Sequence, residues 1–182
     1  MSEGMWKLEL DNETNRIPRD IVQEQCSLLS KATRDLVIAR MAEYDGDYRS
    51  YTTAGGFMAV TENIANMSIN KFDVQSKLGE ETAESKFVYE LYLTSQSMPK
   101  YKYRICFIYY GVLLYPVGIS LEKEIANELG VPNAEFTVDT QDDFEEYLRR
   151  ILGSKKVTLL IQNLYRIGRG ETKYPRVIER RE

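Results

Sequence analysis

"KYKYRICFIYYGVLLYPVGIS", residues 100–120, is the most aromatic stretch of the chain and holds five of its thirteen tyrosines. Its first half alternates. Tyr101, Tyr103, Ile105, Phe107 and Tyr109 fall on one side, and Lys102, Arg104, Cys106 and Ile108 on the other, the period of a β-strand. Tyr110 and Gly111 at the centre of a tight turn would fold the stretch into a hairpin. Glycine suits the second turn position, where φ is positive. Tyr109 then faces Val112, Phe107 faces Leu114 and Ile105 faces Pro116. The face carrying Tyr101 through Tyr109, with Val112 and Leu114, is apolar and is assigned to the core. The second face carries Lys102, Arg104, Cys106, Ile108, Tyr110, Leu113, Tyr115 and Val117. It grades from apolar near the turn to basic near Lys102. A strand apolar on both faces is normally covered on both, here by C-terminal helices or a second copy of the chain.

Neighbouring segments extend the sheet. "KFVYELYL" (86–93) alternates Phe87, Tyr89, Leu91 and Leu93 with Val88, Glu90 and Tyr92. "KFDVQSKL" (71–78) alternates likewise, "MWKLEL" (5–10) is a short strand signal, and "AEFTV" (134–138) is extended. Short separations make an antiparallel meander of four or five strands the simplest topology.

Helices flank this middle. Pro18 suits a first helical turn. Val22, Leu29 and Leu36 then recur every seven residues, with Ala32 and Ala39 between them, which predicts one long amphipathic helix from Pro18 to about Tyr44. "YDGDYRSYTTAGG" reads as a loop. "LEKEIANELG" predicts a short helix capped by Ser120 and stopped by Gly130. "TQDDFEEYLRRILG" predicts a helix from Thr140 to Gly153, with acidic residues at its positive end and Arg149 and Arg150 at its negative end. Ser154 caps a last helix carrying Val157, Leu160, Ile161 and Leu164, although its β-branched residues leave a strand open. The fold class is therefore α+β: a long N-terminal helix and C-terminal helices packed on an antiparallel β-meander. Residues 1–167 form a single domain, and residues 168–182 a flexible basic tail.

Composition narrows the chemistry. The chain has 182 residues and no histidine, which excludes Ser–His and Cys–His nucleophile pairs and every histidine-containing zinc site. Its two cysteines, Cys26 and Cys106, cannot close a four-cysteine zinc site and read as small buried hydrophobes. No secretory pattern opens the sequence and no segment reaches the roughly 18 apolar residues of a membrane span. The expected compartment is the cytoplasm, with no cofactor. Glycines in "TTAGGF" and "IGRGE" lack the spacing of a phosphate loop.

Net charge is −4, but from Arg149 onward ten Lys/Arg stand against three Asp/Glu, while the preceding residues are net acidic. A basic end on an acidic body either follows a nucleic-acid backbone or lies on acidic protein.

The segments "KFVYELYL", "YKYRICFIYYGVLLYPVGIS" and "TQDDFEEYLRRILGSKKVTLLIQNL" resemble a group of small, uncharacterised bacterial α+β proteins. The shared marks are the Tyr-x-Tyr strand, a Tyr-Pro ending the next strand, and the helix junction before Ser154. The likeness covers residues 86–164. It implies a bacterial or phage origin and no particular activity.

Three functions compete. The leading one is a non-enzymatic protein-binding module of the adaptor, immunity or inhibitor type. It would bind through the aromatic and basic sheet face, with Glu90, Tyr92, Lys102, Arg104, Tyr110 and Tyr115 as contacts. Tyr and Arg are the side chains most enriched at interface hot spots. The second is nucleic-acid binding through the basic C-terminal segment, including Arg166 and Arg169. The third is a metal-dependent enzyme with Asp73 and Glu90 as paired carboxylates. A pocket between sheet and helices is a further place for a small molecule.

Overall fold

The computed structural model describes residues 15–46 and 86–171. The strands expected at "MWKLEL" and "KFDVQSKL", Asp73, and the loop beyond Gly46 lie outside these residues. So does the expected tail after Glu171.

The sheet grows from the aromatic stretch. β2 (Phe87–Ser95) and β3 (Met98–Tyr110) pair antiparallel across a two-residue turn at Gln96 and Ser97. The Ser95 hydroxyl fixes that turn: it accepts from Ser97 N–H at 3.3 Å and donates to Leu36 O at 2.7 Å. β1 (Ile38–Glu43) lies on the far side of β2. β4 (Val117–Leu121) and β5 (Glu135–Val138) follow β3, so sheet order equals chain order and every pairing is antiparallel. The expected meander is present among the described residues, with five strands.

Two features of the aromatic stretch differ from the expectation. The turn is not at Tyr110–Gly111. Tyr109 pairs with Gly118 and Phe107 with Ser120, and residues 111–116 form a loop between the strands. The two-residue turn would have put Pro116 into a central ladder, where it has no N–H to donate. Val112 and Leu113 stand exposed in the loop instead. The second difference is a bulge. Leu91 pairs with Cys106 but Tyr92 pairs with Arg104, so Ile105 is an extra residue on β3. The alternation changes parity there. Tyr103 and Ile105 face the helices before the bulge, and Cys106, Ile108 and Tyr110 face them after it. Phe107 and Tyr109, expected in the core, are on the opposite face. Cys106, Ile108, Tyr110 and Val117, expected on that second face, are in the core.

The long N-terminal helix is two elements. α1 (Pro18–Thr33) ends at Arg34 and Asp35, both left-handed with φ of 52° and 60°. Asp35 N–H donates to Ser30 O at 2.9 Å and Arg34 N–H to Lys31 O at 3.3 Å, closing the helix end. Thr33 holds the reversal: its hydroxyl accepts from Val37 N–H at 3.3 Å and lies 2.8 Å from Val37 O. Val37 and Ile38, β-branched, then start β1, which runs back along β2.

The C-terminal helices follow their caps closely. α2 (Lys123–Leu129) is capped by Glu122, not Ser120: the Glu122 carboxylate accepts from the N–H groups of Glu124 at 2.9 Å and Ile125 at 3.1 Å. Ser120 is already paired in β4. α2 ends at Gly130, whose φ of 69° a glycine adopts freely. α3 (Gln141–Leu152) starts at Thr140, whose hydroxyl accepts from Asp143 N–H at 3.2 Å. α4 (Lys155–Gly168) is a helix rather than a strand, capped by Ser154.

One apolar cluster joins sheet and helices. Val22 of α1, Ile125 of α2, Phe144 and Ile151 of α3 and Val157 of α4 pack with Leu91, Ile108 and Ile119 of the sheet. Burying each such side chain contributes about 1.5–3 kcal/mol. The strand residues of this cluster share one face, so the described helices form a single layer on that side.

Candidate functional site

The opposite face carries the polar and aromatic residues. Register places Arg40 beside Tyr92, Tyr92 beside Arg104, Glu90 between Ala42 and Phe107, and Tyr109 beside Gly118. None of them belongs to the helical core cluster.

Glu90 is the centre of this face. It is 5% exposed, an unusual burial for a carboxylate. Lys102 Nζ donates to its Oε1, and Arg104 Nε donates to its Oε2 at 2.6 Å. Burial pushes the Glu90 carboxyl up, but the bonds from Arg104 and Lys102 outweigh it and hold the group below its ordinary value. Arg104 is raised in turn, first by its bond to Glu90. The cations are far less covered than the anion: the side chains are 37% exposed for Lys102 and 52% for Arg104. Lys102 Nζ also sits 4.2 Å from the centre of the Tyr92 ring, a cation–π contact.

This geometry has a chemical meaning. Arg104 uses one of five guanidinium N–H groups on Glu90, and Lys102 one of three ammonium N–H groups. The buried carboxylate thus holds two cations in place while most of their donors stay available. Both Glu90 oxygens are engaged, so this carboxylate is not a vacant metal ligand. Among the described residues no group of three or more Cys, Asp or Glu is placed to hold a metal ion. Asp73, its expected partner in a metal pair, lies outside them.

The patch continues as aromatic surface. The Tyr44 ring lies 4.7 Å from Phe107, and Tyr109 donates to Glu135 Oε1 at 2.6 Å.

The eight binding residues expected from sequence fall into three places. Glu90, Tyr92, Lys102 and Arg104 are together. Tyr110 is on the helical side, 3% exposed, beside Phe87 and Tyr89 at ring separations of 5.6 and 6.0 Å. Burial first, then Tyr89, raises its pKa. Tyr115 is also on the helical side; its hydroxyl donates to Arg16 O at 3.4 Å and its ring meets Phe144 edge-on. The bulge and the longer loop remove both tyrosines from the face expected to hold them. Arg166 and Arg169 lie at the end of α4, 3.7 and 3.2 Å from Glu171. Sequence reading missed Arg40, placed in the extended helix, and Phe107 and Tyr109, placed in the core. Glu135 carried no signal, because only the register brings β5 beside Tyr109.

No helix among the described residues is long and apolar enough to cross a membrane. No family model matches the sequence, and no curated protein or solved structure is similar enough to count as a match.

Proposed function

We propose that the chain is a non-enzymatic protein-binding module, of the adaptor, immunity or inhibitor type. Its docking surface is the patch of Tyr92, Lys102 and Arg104 around Glu90, and its partner presents carboxylates there. The observation that carries this reading is a buried carboxylate holding two half-exposed cations beside a tyrosine ring. Cations already fixed in position lose less freedom when a partner carboxylate arrives, which favours affinity. Arg and Tyr are also the side chains that most often dominate protein interfaces. Arg166 and Arg169 share Glu171, which lessens the positive field at the end of α4 and weighs against nucleic acid as ligand.

The test is quantitative binding to a partner identified by crosslinking in the source cell and then purified. Arg104→Glu should weaken that complex about thirtyfold or more, the loss of one hot spot, with the circular dichroism spectrum unchanged. Equal affinity for parent and variant would reject this surface. Salt-sensitive binding to polynucleotide that survives Arg104→Glu and is lost in Arg166→Glu/Arg169→Glu would reassign the role to nucleic acid.

A further inference from the structure

A third cation stands beside Lys102 and Arg104. Arg40 of β1 is directly opposite Tyr92, and Tyr92 is directly opposite Arg104, so these three residues form a row across neighbouring strands on one face of the sheet. Adjacent strands lie about 4.8 Å apart, which puts the Arg40 and Arg104 backbones about 10 Å from each other with Tyr92 between them. Lys102 Nζ sits 4.2 Å from the centre of the Tyr92 ring. Its ammonium therefore occupies the gap between the two arginine positions, where long side chains from either strand can meet.

The charges on this face do not cancel. Glu90 is the one carboxylate that β1, β2 and β3 place there. Glu43, the other acidic residue of these strands, pairs with Tyr89 and so belongs to the helical side. Glu24 of α1 lines the open hollow at the edge of β1 together with Arg40, but it is bound to Arg16 at 2.7 Å, and that pair adds no net charge. Arg40 is exposed and has no ion pair among the described residues. Three cations, Arg40, Lys102 and Arg104, against the single carboxylate of Glu90 leave a net charge of +2. Glu90 is buried while the cations are exposed, so an arriving anion meets N–H groups and not the carboxylate.

We propose that this patch reads a phosphorylated side chain on the partner, with the phosphate seated over Tyr92 among Arg40, Lys102 and Arg104. A phosphomonoester carries about −1.5 to −2 charge at neutral pH and three acceptor oxygens, which matches the excess charge and the donors on three sides. Clusters of arginine are a recurring means of recognising phosphorylated side chains. The inference rests on the protein-binding reading and sharpens its anion: a carboxylate meets the Lys102 and Arg104 pair, whereas a phosphate engages Arg40 as well. Phosphorylation of the partner then tightens the complex. A phosphodiester has a single charge and fits less well, which selects against a nucleic-acid backbone.

The experiment uses the full chain with methyl phosphate, dimethyl phosphate and acetate as probes, followed by NMR of the arginine and lysine side-chain N–H groups at neutral pH. Methyl phosphate should shift the Arg40, Lys102 and Arg104 signals with one common affinity, and bind about tenfold or more tighter than either monoanion. Arg40→Gln, an exposed change, should weaken methyl phosphate about tenfold and leave acetate unchanged. Equal affinity for the three probes, no shift at Arg40, or full methyl phosphate affinity in Arg40→Gln would overturn the proposal. The purified partner separates this inference from the reading beneath it. Phosphatase treatment of the partner should weaken the complex about tenfold or more. A complex weakened by Arg104→Glu but not by phosphatase would overturn the phosphate and leave the protein-binding reading in place. A complex that Arg104→Glu leaves unchanged would reject the docking surface, and the phosphate site with it.

Discussion

Tyr109 lies flat across Gly118 on the neighbouring strand: a Cβ at Gly118 would stand 2.0 Å from Tyr109 Cε2. The ring passes over this glycine to place its hydroxyl on Glu135 one strand further on. The glycine is there for room. Even the smallest side chain would push the tyrosine off its path and strain the β3–β4 ladder.

Gly118→Ala should therefore destabilise the fold by about 1–3 kcal/mol, the usual cost of overpacking. Denaturant unfolding measures it. The same substitution in a Tyr109→Ala background should cost much less, because the clashing ring is gone. Equal costs in both backgrounds would show that Tyr109 is not the cause.

Glu90 predicts a pH dependence with a definite sign. Its folded pKa is depressed, while in the unfolded chain it titrates near the ordinary value of about 4.3. Its ion pairs thus contribute fully above that pH, and the contribution is lost as pH falls through the folded value. Glu90→Gln should be less stable than the parent at neutral pH by about 1.5–3 kcal/mol, the range for hydrogen bonds to charged groups. The difference should shrink on acidification below about pH 4. Parallel stability curves across that range would show that packing, not charge, sets the cost.

Arg34 occupies a left-handed position, with φ of 52°, where a non-glycine residue is strained. Its side chain makes no ion pair among the described residues. Arg34→Gly should raise stability by about 0.5–1 kcal/mol, since the strain relieved exceeds the extra freedom of the unfolded chain. A drop in melting temperature would mean that the arginine stabilises the α1–β1 reversal in some other way.

Those two strained residues also explain why the N-terminal region misreads as one helix. Leu36 and Ala39 continue the helical period of Val22 and Leu29, and neither Gly nor Pro marks the break. The left-handed turn falls on Arg34 and Asp35, and of the two only aspartate is a non-glycine type enriched there. By contrast, α3 and α4 were legible because Thr140, Gly153 and Ser154 are the residue types that helix ends require. The bulge was invisible for a different reason. Ile105 and Cys106 are both apolar, so alternation cannot show that they share a face. Half of the binding patch was still readable, because Glu90 and Tyr92 lie one pleat apart, as do Lys102 and Arg104. Which strand faces which depends on long-range packing, so the loss of Tyr115 from the patch had no sequence signature.

The extra residue at Ile105 makes this part of the strand a counting device. Deleting Ile105 would restore strict alternation and leave Lys102 and Arg104 facing outward, whereas deleting one regularly paired residue between Arg104 and the sheet's far end while keeping the bulge would turn them inward, against the apolar layer, and expose Tyr101 and Tyr103. Removing two residues would preserve the facing of the strand and merely shorten it. Over evolutionary time, insertions and deletions in the regularly paired part of this segment should therefore survive in even numbers, with odd ones tolerated where they remove the irregularity itself or create another.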